Sequence, residues 1–279
     1  YLNAIIDGKQ EYKVSGNIGE LNYLSFGLKE NRYSIDGTMI SLGEIDMKDM
    51  FIEDSGDFVL YLGGTKESKN FLAMPKNTNM LIVRQTYKDR INQTHAKINI
   101  KTVSTKASPE LLSSDKLENQ LNQSLAFVRG TASTFLIWVK DFKKNHKNAL
   151  PLGDQSFFQA AGGDPKICYL HGYYDFNKDE CMQITTYIPD CEYWNFQLEN
   201  FWMESLDYRH YPIHINDSSA IVKKDKSITI TVSHFPINIE NNLITEGRNN
   251  GAMLLRWIDA KNNPIPEVKI KKIDSIEMN

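Results

Sequence analysis

The segment between residues 192 and 216 concentrates side chains that could form a ligand pocket. Aromatic residues alternate there with amides, carboxylates and basic groups: Trp194, Phe196, Phe201, Trp202, Tyr208 and Tyr211 among Gln197, Asn200, Glu204, Asp207, Arg209, His210 and His214. Aromatic faces can stack on sugar rings, and polar groups can satisfy hydroxyls. The pattern is typical of a site for a small polar or carbohydrate-like ligand. It would equally suit a closely packed core with a structural Asp207–Arg209 pair.

His234 is the sharpest catalytic candidate. It ends a strongly alternating strand and precedes a loop that contains Pro236. Imidazole titrates near neutral pH, and strand ends next to loops often carry functional groups. The sequence therefore offers a second hypothesis, a hydrolase in which His234 is the base, Asp207 orients it and Arg209 holds an anion. That mechanism requires the three side chains to converge on one cleft. The alternative is a hydrogen-bonded histidine that anchors the loop.

No motif in the sequence indicates a metal or a cofactor, so we predict neither. His210 and His214 are four residues apart, but Pro212 between them favours an extended chain. In that geometry the two imidazoles would be about 13 Å apart, too far to share one ion. The cysteines form no CxxC pair, and we expect buried, reduced thiols, with one disulfide and a leftover thiol as the alternative. They are Cys168, Cys181 and Cys191.

The elements that position these residues are short runs in which apolar and polar residues alternate, separated by Gly, Asn and Asp. Such runs predict β-strands. The predicted strands are 12–17, 23–28, 34–42, 57–63, 80–87 and 96–103, followed later by 168–176, 182–188, 193–198, 213–215, 220–223, 227–234, 253–258 and 268–273. Between the two groups, Ser-Pro-Glu at 108–110 has the residue types of a helix start. Apolar residues then recur at helical spacing at Leu117, Leu121, Leu125 and Val128, and continue from Phe135 to Phe142. Gly130 inside this pattern indicates a break or a close packing.

These elements predict a mostly β fold, an antiparallel β-sandwich of jelly-roll-like architecture with a helical insertion around residues 108–147. We divide the chain into an N-terminal β-rich region (1–105), the helical insertion (106–150) and a C-terminal β-sandwich region (151–279).

Composition narrows the classes of partner. The chain has 279 residues and a formal net charge of −3, which argues against nucleic acid as a partner. Its apolar runs are far shorter than the roughly 20 residues of a spanning helix, so we expect no membrane span. The chain opens at Tyr1 rather than at a methionine. The sequence therefore leaves open whether a targeting segment precedes it, and cytoplasmic and secreted locations both stay open.

Several motifs together resemble the bacterial family called domain of unknown function 1214. The likeness is strongest at Tyr193-Trp194-Asn195-Phe196-Gln197-Leu198 and at Trp202-x-x-Ser205-Leu206-Asp207-Tyr208-Arg209. It extends over Gly162-Gly163-Asp164-Pro165, Tyr169, Tyr174, Asp179-Glu180, Asn216, Ala220, His234, Asn241, Leu243, Thr245, Gly247, Gly251 and Arg256-Trp257, with a weaker N-terminal pattern in Phe71-Leu72-x-x-Pro75 and residues 81–87. The resemblance implies a β-rich protein whose C-terminal part is a jelly-roll-like sandwich, and it implies no activity.

The chain departs from that family in two loops. Where the family has Asp-Pro-Gly after the histidine, this chain has Pro236-Ile237-Asn238. Where members read Asn-Trp-Leu-Asp, it reads Asn241-Asn242-Leu243-Ile244, so a Trp and an Asp are absent. A carboxylate that was catalytic in relatives would be missing here.

The sequence thus favours a β-sandwich that binds a small polar or carbohydrate-like ligand in an aromatic–polar pocket of its C-terminal region. The predicted ligand-binding residues are Trp194, Gln197, Asn200, Trp202, Tyr208, Asn216 and Asn241. The hydrolase of His234, Asp207 and Arg209 is the alternative. In a third hypothesis the protein is a structural or assembly module whose aromatic surfaces form the contacts of a homo-oligomer.

Overall fold

The computed structural model describes residues 1–64, 68–103 and 112–276. They form two compact units. The N-terminal unit comprises Tyr1–Gly130 with Gln159–Gly163, and the C-terminal unit comprises Thr131–Phe158 with Asp164–Asn279. The boundary between the units falls inside a long helix.

The N-terminal unit contains two four-stranded sheets, and the strands are antiparallel except for the β5–β6 pair. One sheet has the order β1 (Leu2–Ile5), β7 (Met80–Thr86), β3 (Tyr23–Arg32) and β4 (Thr38–Asp46). The other has the order β6 (Phe71–Leu72), β5 (Asp57–Leu62), β2 (Tyr12–Asn17) and β8 (Lys97–Thr102). Alternate side chains of both sheets, among them Val14, Phe26 and Leu60, form one apolar core.

The C-terminal unit repeats this plan with two more four-stranded sheets. One sheet has the order β12 (His214–Asn216), β11 (Tyr193–Leu198), β15 (Asn250–Ile258) and β9 (Ile167–Asp175). The other has the order β14 (Asn242–Ile244), β13 (Ser227–Ser233), β10 (Glu180–Tyr187) and β16 (Glu267–Lys272). Only β13 and β14 pair in parallel among these strands. The core contains Trp194, Phe196 and Leu198 from β11 and Met253, Leu255 and Trp257 from β15.

Two α-helices and two short 3₁₀ helices complete the described chain. Helix α1 spans Ser114–Asn145, α2 spans Gln155–Ala160, and the 3₁₀ turns are Met47–Asp49 and Ile273–Ser275. Near its C-terminal end α1 buries Trp138, Val139 and Phe142. Among the described residues, no helix combines the length and apolar character needed to cross a membrane.

The predicted fold class is confirmed: the protein is mostly β, with antiparallel sheets arranged as in a sandwich and a helical insertion. The predicted helix start at 108–110 lies outside the described residues. The stripe from Leu117 to Val128 is helical, but its four apolar side chains are exposed. Periodicity therefore predicted this part of the helix correctly, although its apolar stripe is not buried.

The structure also corrects predictions of short elements. No strand forms at 220–223, because the amide of Asn241 replaces a strand neighbour: it accepts from the Ile221 N–H and donates to the Ile221 carbonyl, both at 2.8 Å. Three short strands, β1, β6 and β14, and helix α2 were not predicted. Each is six residues or fewer, too short for a clear period.

Gly130 marks a close packing and not a break, since α1 continues through it. A Cβ at this position would lie 1.9 Å from the carbonyl oxygen of Tyr33.

Replacing glycine with alanine inside a helix normally raises the free energy of unfolding by about 1 kcal/mol. Here we expect Gly130→Ala to lower the free energy of unfolding by about 1–3 kcal/mol, because the added methyl group must push the backbone apart. Urea denaturation followed by circular dichroism measures this. Asn122→Ala, at an exposed position of the same helix, is the control, and we expect it to leave the free energy of unfolding unchanged or slightly higher. An unchanged or higher free energy of unfolding in Gly130→Ala would contradict the close packing against Tyr33.

Candidate functional site

The predicted pocket segment divides between the core and the surface. Along β11, Trp194 and Phe196 point into the core, and Trp194 lies 6.1 Å from Trp257 between ring centroids. Trp194, which is 2% exposed, also contributes to the lining of an open depression of about 230 Å³, together with Tyr193 and Cys191. Alternation in the strand therefore makes the strongest aromatic candidate mainly a core residue.

Asp207 and Arg209 lie in a turn and not in a strand. The Arg209 side chain donates from Nε and Nη2 to the two carboxylate oxygens of Asp207, each at 2.8 Å. These hydrogen bonds lower the pKa of Asp207 to about 2. Both side chains are on the surface, so this bidentate pair is a solvent-facing feature of the loop.

Three predicted ligand-binding amides hold loops together. Asn200 accepts from the backbone N–H groups of Trp202 and Glu204. Asn216 accepts from the backbone of Ser218 and Ser219 and donates to the Tyr193 hydroxyl at 3.2 Å. Asn241 bonds Ile221 as described above. These side chains satisfy backbone groups of the turns, which is what Asn commonly does there.

Exposed aromatic side chains lie on two loops at one end of the C-terminal unit. We call Trp202, Tyr208, Tyr211 and Phe235 the aromatic rim; all four side chains are exposed. The loop 199–213 carries Trp202, Tyr208 and Tyr211, and the loop 234–241 carries Phe235. Both loops bond to the segment 244–247: the Asp207 N–H donates to Glu246 Oε1 at 2.6 Å, the Ile244 N–H donates to the Pro212 carbonyl at 2.9 Å, and the Gly247 N–H donates to the His234 carbonyl at 3.1 Å. The second carboxylate oxygen of Glu246 accepts from Arg248.

His234 is buried in the core, with 1% of its surface exposed. Its Nε2 lies 3.1 Å from the Phe176 carbonyl and its Nδ1 lies 3.0 Å from the Thr245 hydroxyl. A carbonyl oxygen only accepts, so Nε2 carries the proton and Nδ1 accepts from Thr245. Both nitrogens are thus committed to protein groups, and the predicted general-base role lacks a reachable nitrogen. The placement fits the alternative, a histidine that anchors the loop.

Polar side chains that the sequence analysis did not bring together lie on the non-core face of the sheet of β11, β15 and β9. We call Gln197, Glu199, Arg256 and His171 the polar row. Gln197 Nε2 donates to Glu199 Oε1 at 2.6 Å, and Gln197 Oε1 accepts from Arg256 Nη1 at 3.2 Å. Pairing places Gln197 opposite Leu254, which is in turn opposite His171. Of the predicted site residues, the row contains only Gln197.

Burial controls the charges of the polar row. Glu199 is 3% exposed, and burial raises its pKa to about 7, although Arg256 and the hydrogen bond from Gln197 act in the opposite direction. Burial also lowers the pKa of His171 to about 3, with further contributions from Arg256 and His146, so this imidazole is neutral. At neutral pH the row therefore contains one permanent cation and one carboxyl that is near its midpoint.

Three atoms of the row have no hydrogen-bond partner among the described residues: Glu199 Oε2, Arg256 Nε and His171 Nδ1. Leaving a buried polar group unsatisfied costs about 1–3 kcal/mol. Such a cluster of orphaned atoms beside a carboxyl with a perturbed pKa is typical of a functional site. A sequence clue existed: Asn195, Gln197 and Glu199 alternate with the core residues of β11.

Aromatic rings surround the His171 end of the row. The His171 ring stacks on Phe142 at 4.9 Å between centroids, and Phe158 and Trp138 approach it at 4.7 and 5.8 Å. All of these side chains belong to α1, α2 and β9 of the C-terminal unit. They give the row one apolar wall.

Metal and thiol chemistry find no support in the described residues. They contain no group of three or more His, Cys, Asp and Glu side chains that could hold a metal ion. His210 and His214 are both exposed. All three cysteines are free thiols. Burial raises the pKa of Cys168 and of Cys191 to about 11, which keeps both thiols protonated and weakly nucleophilic.

Comparison with solved structures finds a close relative. It is an uncharacterised protein from Burkholderia cenocepacia whose crystal structure matches with a TM-score of 0.94 and 36% sequence identity, covering 98% of this chain and 76% of that one. The chain belongs to the family of this Burkholderia protein. A protein from Vibrio parahaemolyticus, VPA0106, matches with a TM-score of 0.55 and 12% identity over 97% of this chain and 88% of its own. That likeness shows the fold alone. No family model and no curated protein matches the chain.

The raised pKa of Glu199 predicts a measurable pH dependence of stability. The folded protein holds this proton more tightly than the unfolded chain, so the free energy of unfolding falls as the pH rises from 4.5 to about 7. Glu199→Gln stays uncharged, and we expect its stability relative to the wild type to rise by about 3 kcal/mol across that window. Urea unfolding at pH 4.5, 6 and 8 measures this. Glu267→Gln, exposed on β16, controls for the loss of one carboxylate from the surface. A Glu199→Gln difference that stays flat from pH 4.5 to 8 would mean that folding does not change the pKa of Glu199.

Proposed function

We propose that the C-terminal unit binds a small polar or carbohydrate-like ligand at the aromatic rim. The observation that supports this proposal is the exposure of four aromatic side chains on two loops that are both hydrogen-bonded to the segment 244–247. Trp and Tyr rings offer flat apolar faces to the C–H groups of a sugar, and the tyrosine hydroxyls add polar contacts. Exposed aromatic groups of this kind commonly mark interaction sites.

Charged groups at the rim supply the polar part of recognition. The carboxylate of Asp207 is held by Arg209, and that of Glu246 is held by Arg248. A carboxylate has about four acceptor sites, so each can bind ligand hydroxyls without losing its arginine. Paired charges also leave the rim close to neutral, which favours a neutral ligand rich in hydroxyls over a strongly charged one.

The rim loops are held in place before any ligand arrives. Glu246 adopts φ +53°, a left-handed conformation that is uncommon for a residue other than glycine, and its carboxylate binds Asp207 and Arg248. Asn200 organises the turn that carries Trp202. A preorganised loop loses little conformational entropy on binding, which favours a binding role.

Binding without catalysis is the better supported function. The hydrolase hypothesis needs His234 as a base, but its two ring nitrogens are hydrogen-bonded to Thr245 and Phe176 inside the core. Its neighbour along the chain, Phe235, belongs to the rim. In this proposal His234 supports the binding loop by fixing the strand end from which Phe235 departs.

We further propose that the protein is a member of the family called domain of unknown function 1214. The support is the motif at residues 193–198 together with the Trp202 to Arg209 motif. The first forms β11 and the second forms the loop with half of the aromatic rim. The departure at Pro236-Ile237-Asn238 lies in the loop that carries Phe235, and Asn241-Asn242-Leu243-Ile244 ends that loop and forms β14, so ligand preference within such a family would differ there.

Calorimetry against a panel of mono- and oligosaccharides and polar metabolites tests the proposed function. We expect saturable binding of at least one neutral polyhydroxy compound. Trp202→Ala and Tyr211→Ala should each weaken it by about 3- to 10-fold, the value of one aromatic contact. Tyr187→Ala is the matched control, because Tyr187 is exposed on β10 away from the rim loops.

Two results would contradict the proposal. One is the absence of saturable binding across the panel, and the other is an equal loss of affinity in the Tyr187 variant. A sizing column distinguishes ligand binding at the rim from the assembly hypothesis. If the apparent mass falls on dilution, and falls further in Trp202→Ala, the rim is a subunit contact in a homo-oligomer.

A further inference from the structure

The polar row crosses three adjacent strands. Gln197, Leu254 and His171 are paired neighbours on β11, β15 and β9. Strands lie about 4.8 Å apart, so the row extends about 10 Å from β11 to β9. Leu254, which is buried, lies between Gln197, which bonds Glu199, and His171, which aromatic rings surround. Polar and apolar groups therefore lie at opposite ends of the row.

Gln197 keeps the charges of the row apart. Its amide bonds Glu199 with one atom and Arg256 with the other, and the described residues contain no direct ion pair between these two side chains. The bridge occupies Glu199 Oε1 and Arg256 Nη1. Glu199 Oε2 and Arg256 Nε remain without hydrogen-bond partners among the described residues. A ligand group that contacts both atoms would complete the row.

We propose that the polar row is a second binding site, beyond the rim ligand, for a small carboxylate with an apolar body. The carboxylate accepts hydrogen bonds from Arg256 Nε and from a protonated Glu199 Oε2. The apolar body lies over Leu254 and reaches the rings of Phe142 and Phe158 around His171.

Charge favours an anion over other ligands. When Glu199 holds its proton, the row has a net charge of +1 from Arg256, because His171 is neutral. A carboxylate neutralises that charge, and arginine is well suited to bind it. A ligand cation would meet the guanidinium and be repelled.

The other titratable groups near the row are few. On β9 the Tyr174 hydroxyl donates to the Glu199 carbonyl at 3.2 Å, and burial raises the pKa of Tyr174, so this group stays neutral. Glu246 and Arg248 form an ion pair, and both act electrostatically on the Tyr174 hydroxyl. At the other end, His146 Nδ1 lies 3.2 Å from the His171 carbonyl. Arg256 on β15 remains the cation that faces Glu199.

Calorimetry of the full chain with sodium benzoate tests this inference, with benzyl alcohol and sodium chloride as matched probes. We expect benzoate to bind at pH 6 and to bind about tenfold more weakly at pH 8, because the site must keep a proton on a carboxyl whose pKa is about 7. Titrations at pH 7 in two buffers of different ionisation enthalpy should show the uptake of up to one proton. Benzyl alcohol and chloride should give no saturable heat.

Variants separate binding from structure. In Glu199→Gln the amide N–H replaces the protonated carboxyl as donor, so we expect benzoate to bind with no pH dependence between pH 6 and 8. Arg256→Gln should abolish binding, whereas Arg248→Gln, outside the row, should keep it. Trp202→Ala should leave benzoate affinity unchanged, which makes this test independent of the rim. Circular dichroism checks that each variant is folded.

Three outcomes would overturn the inference. The first is the absence of saturable benzoate binding by the wild type at pH 6, which would leave the row as internal architecture. The second is benzoate affinity that rises with pH, which would mean that binding does not require the protonated carboxyl of Glu199. The third is an unchanged pH dependence in Glu199→Gln, which would place the titrating group elsewhere.

Discussion

The alternation of side chains along β11 is the constraint on which the C-terminal unit depends. Trp194, Phe196 and Leu198 point to one face and enter the core, while Gln197 and Glu199 point to the other. A shift of one residue would bury the polar set in the core and expose the aromatic set. The pairing with β15, where Met253, Leu255 and Trp257 face the same core, secures this register. The polar row is therefore defined by the side of the sheet on which its members fall, whereas the aromatic rim lies on the loops beyond the strand ends.

This constraint explains how far the sequence could be interpreted. The strand at 193–198 was predicted with its observed bounds, because period two and apolar content coincide there. The mixture of aromatic and polar residues at 192–216 put Trp194 in a predicted pocket, whereas its side chain enters the core, since a sequence shows alternation but not which face is covered. Periodicity likewise predicted α1 but not the exposure of Leu121 and Leu125. The segment 220–223 has strand-like residues, yet the side chain of Asn241 takes the place of a neighbouring strand, a contact over 20 residues that no local pattern contains.

His234 and Glu199 show why burial alone does not identify a functional group. Both are nearly inaccessible to solvent. His234 has a hydrogen-bond partner for each nitrogen, so its burial costs little. Within the described part of the chain, Glu199 has a partner for one oxygen, and its pKa is raised because the ionised form is poorly solvated. The sequence favoured the histidine because imidazole in water titrates near neutrality, whereas in the folded protein burial raises the pKa of the Glu199 carboxyl to about 7.

The polar row is also costly in a way that a purely structural role does not explain. Each of its three orphaned atoms carries a penalty of about 1–3 kcal/mol, a large part of the 5–15 kcal/mol by which a domain is stable. Apolar side chains on the same face would remove the penalty, and a strand with two apolar faces is common in layered proteins. The apolar core formed by β11, β15 and the opposite sheet is extensive enough to carry such a cost. A destabilising polar group that persists on a well-packed sheet is expected where it contacts something other than the protein itself, whereas the satisfied amides of Asn200, Asn216 and Asn241 need no such explanation.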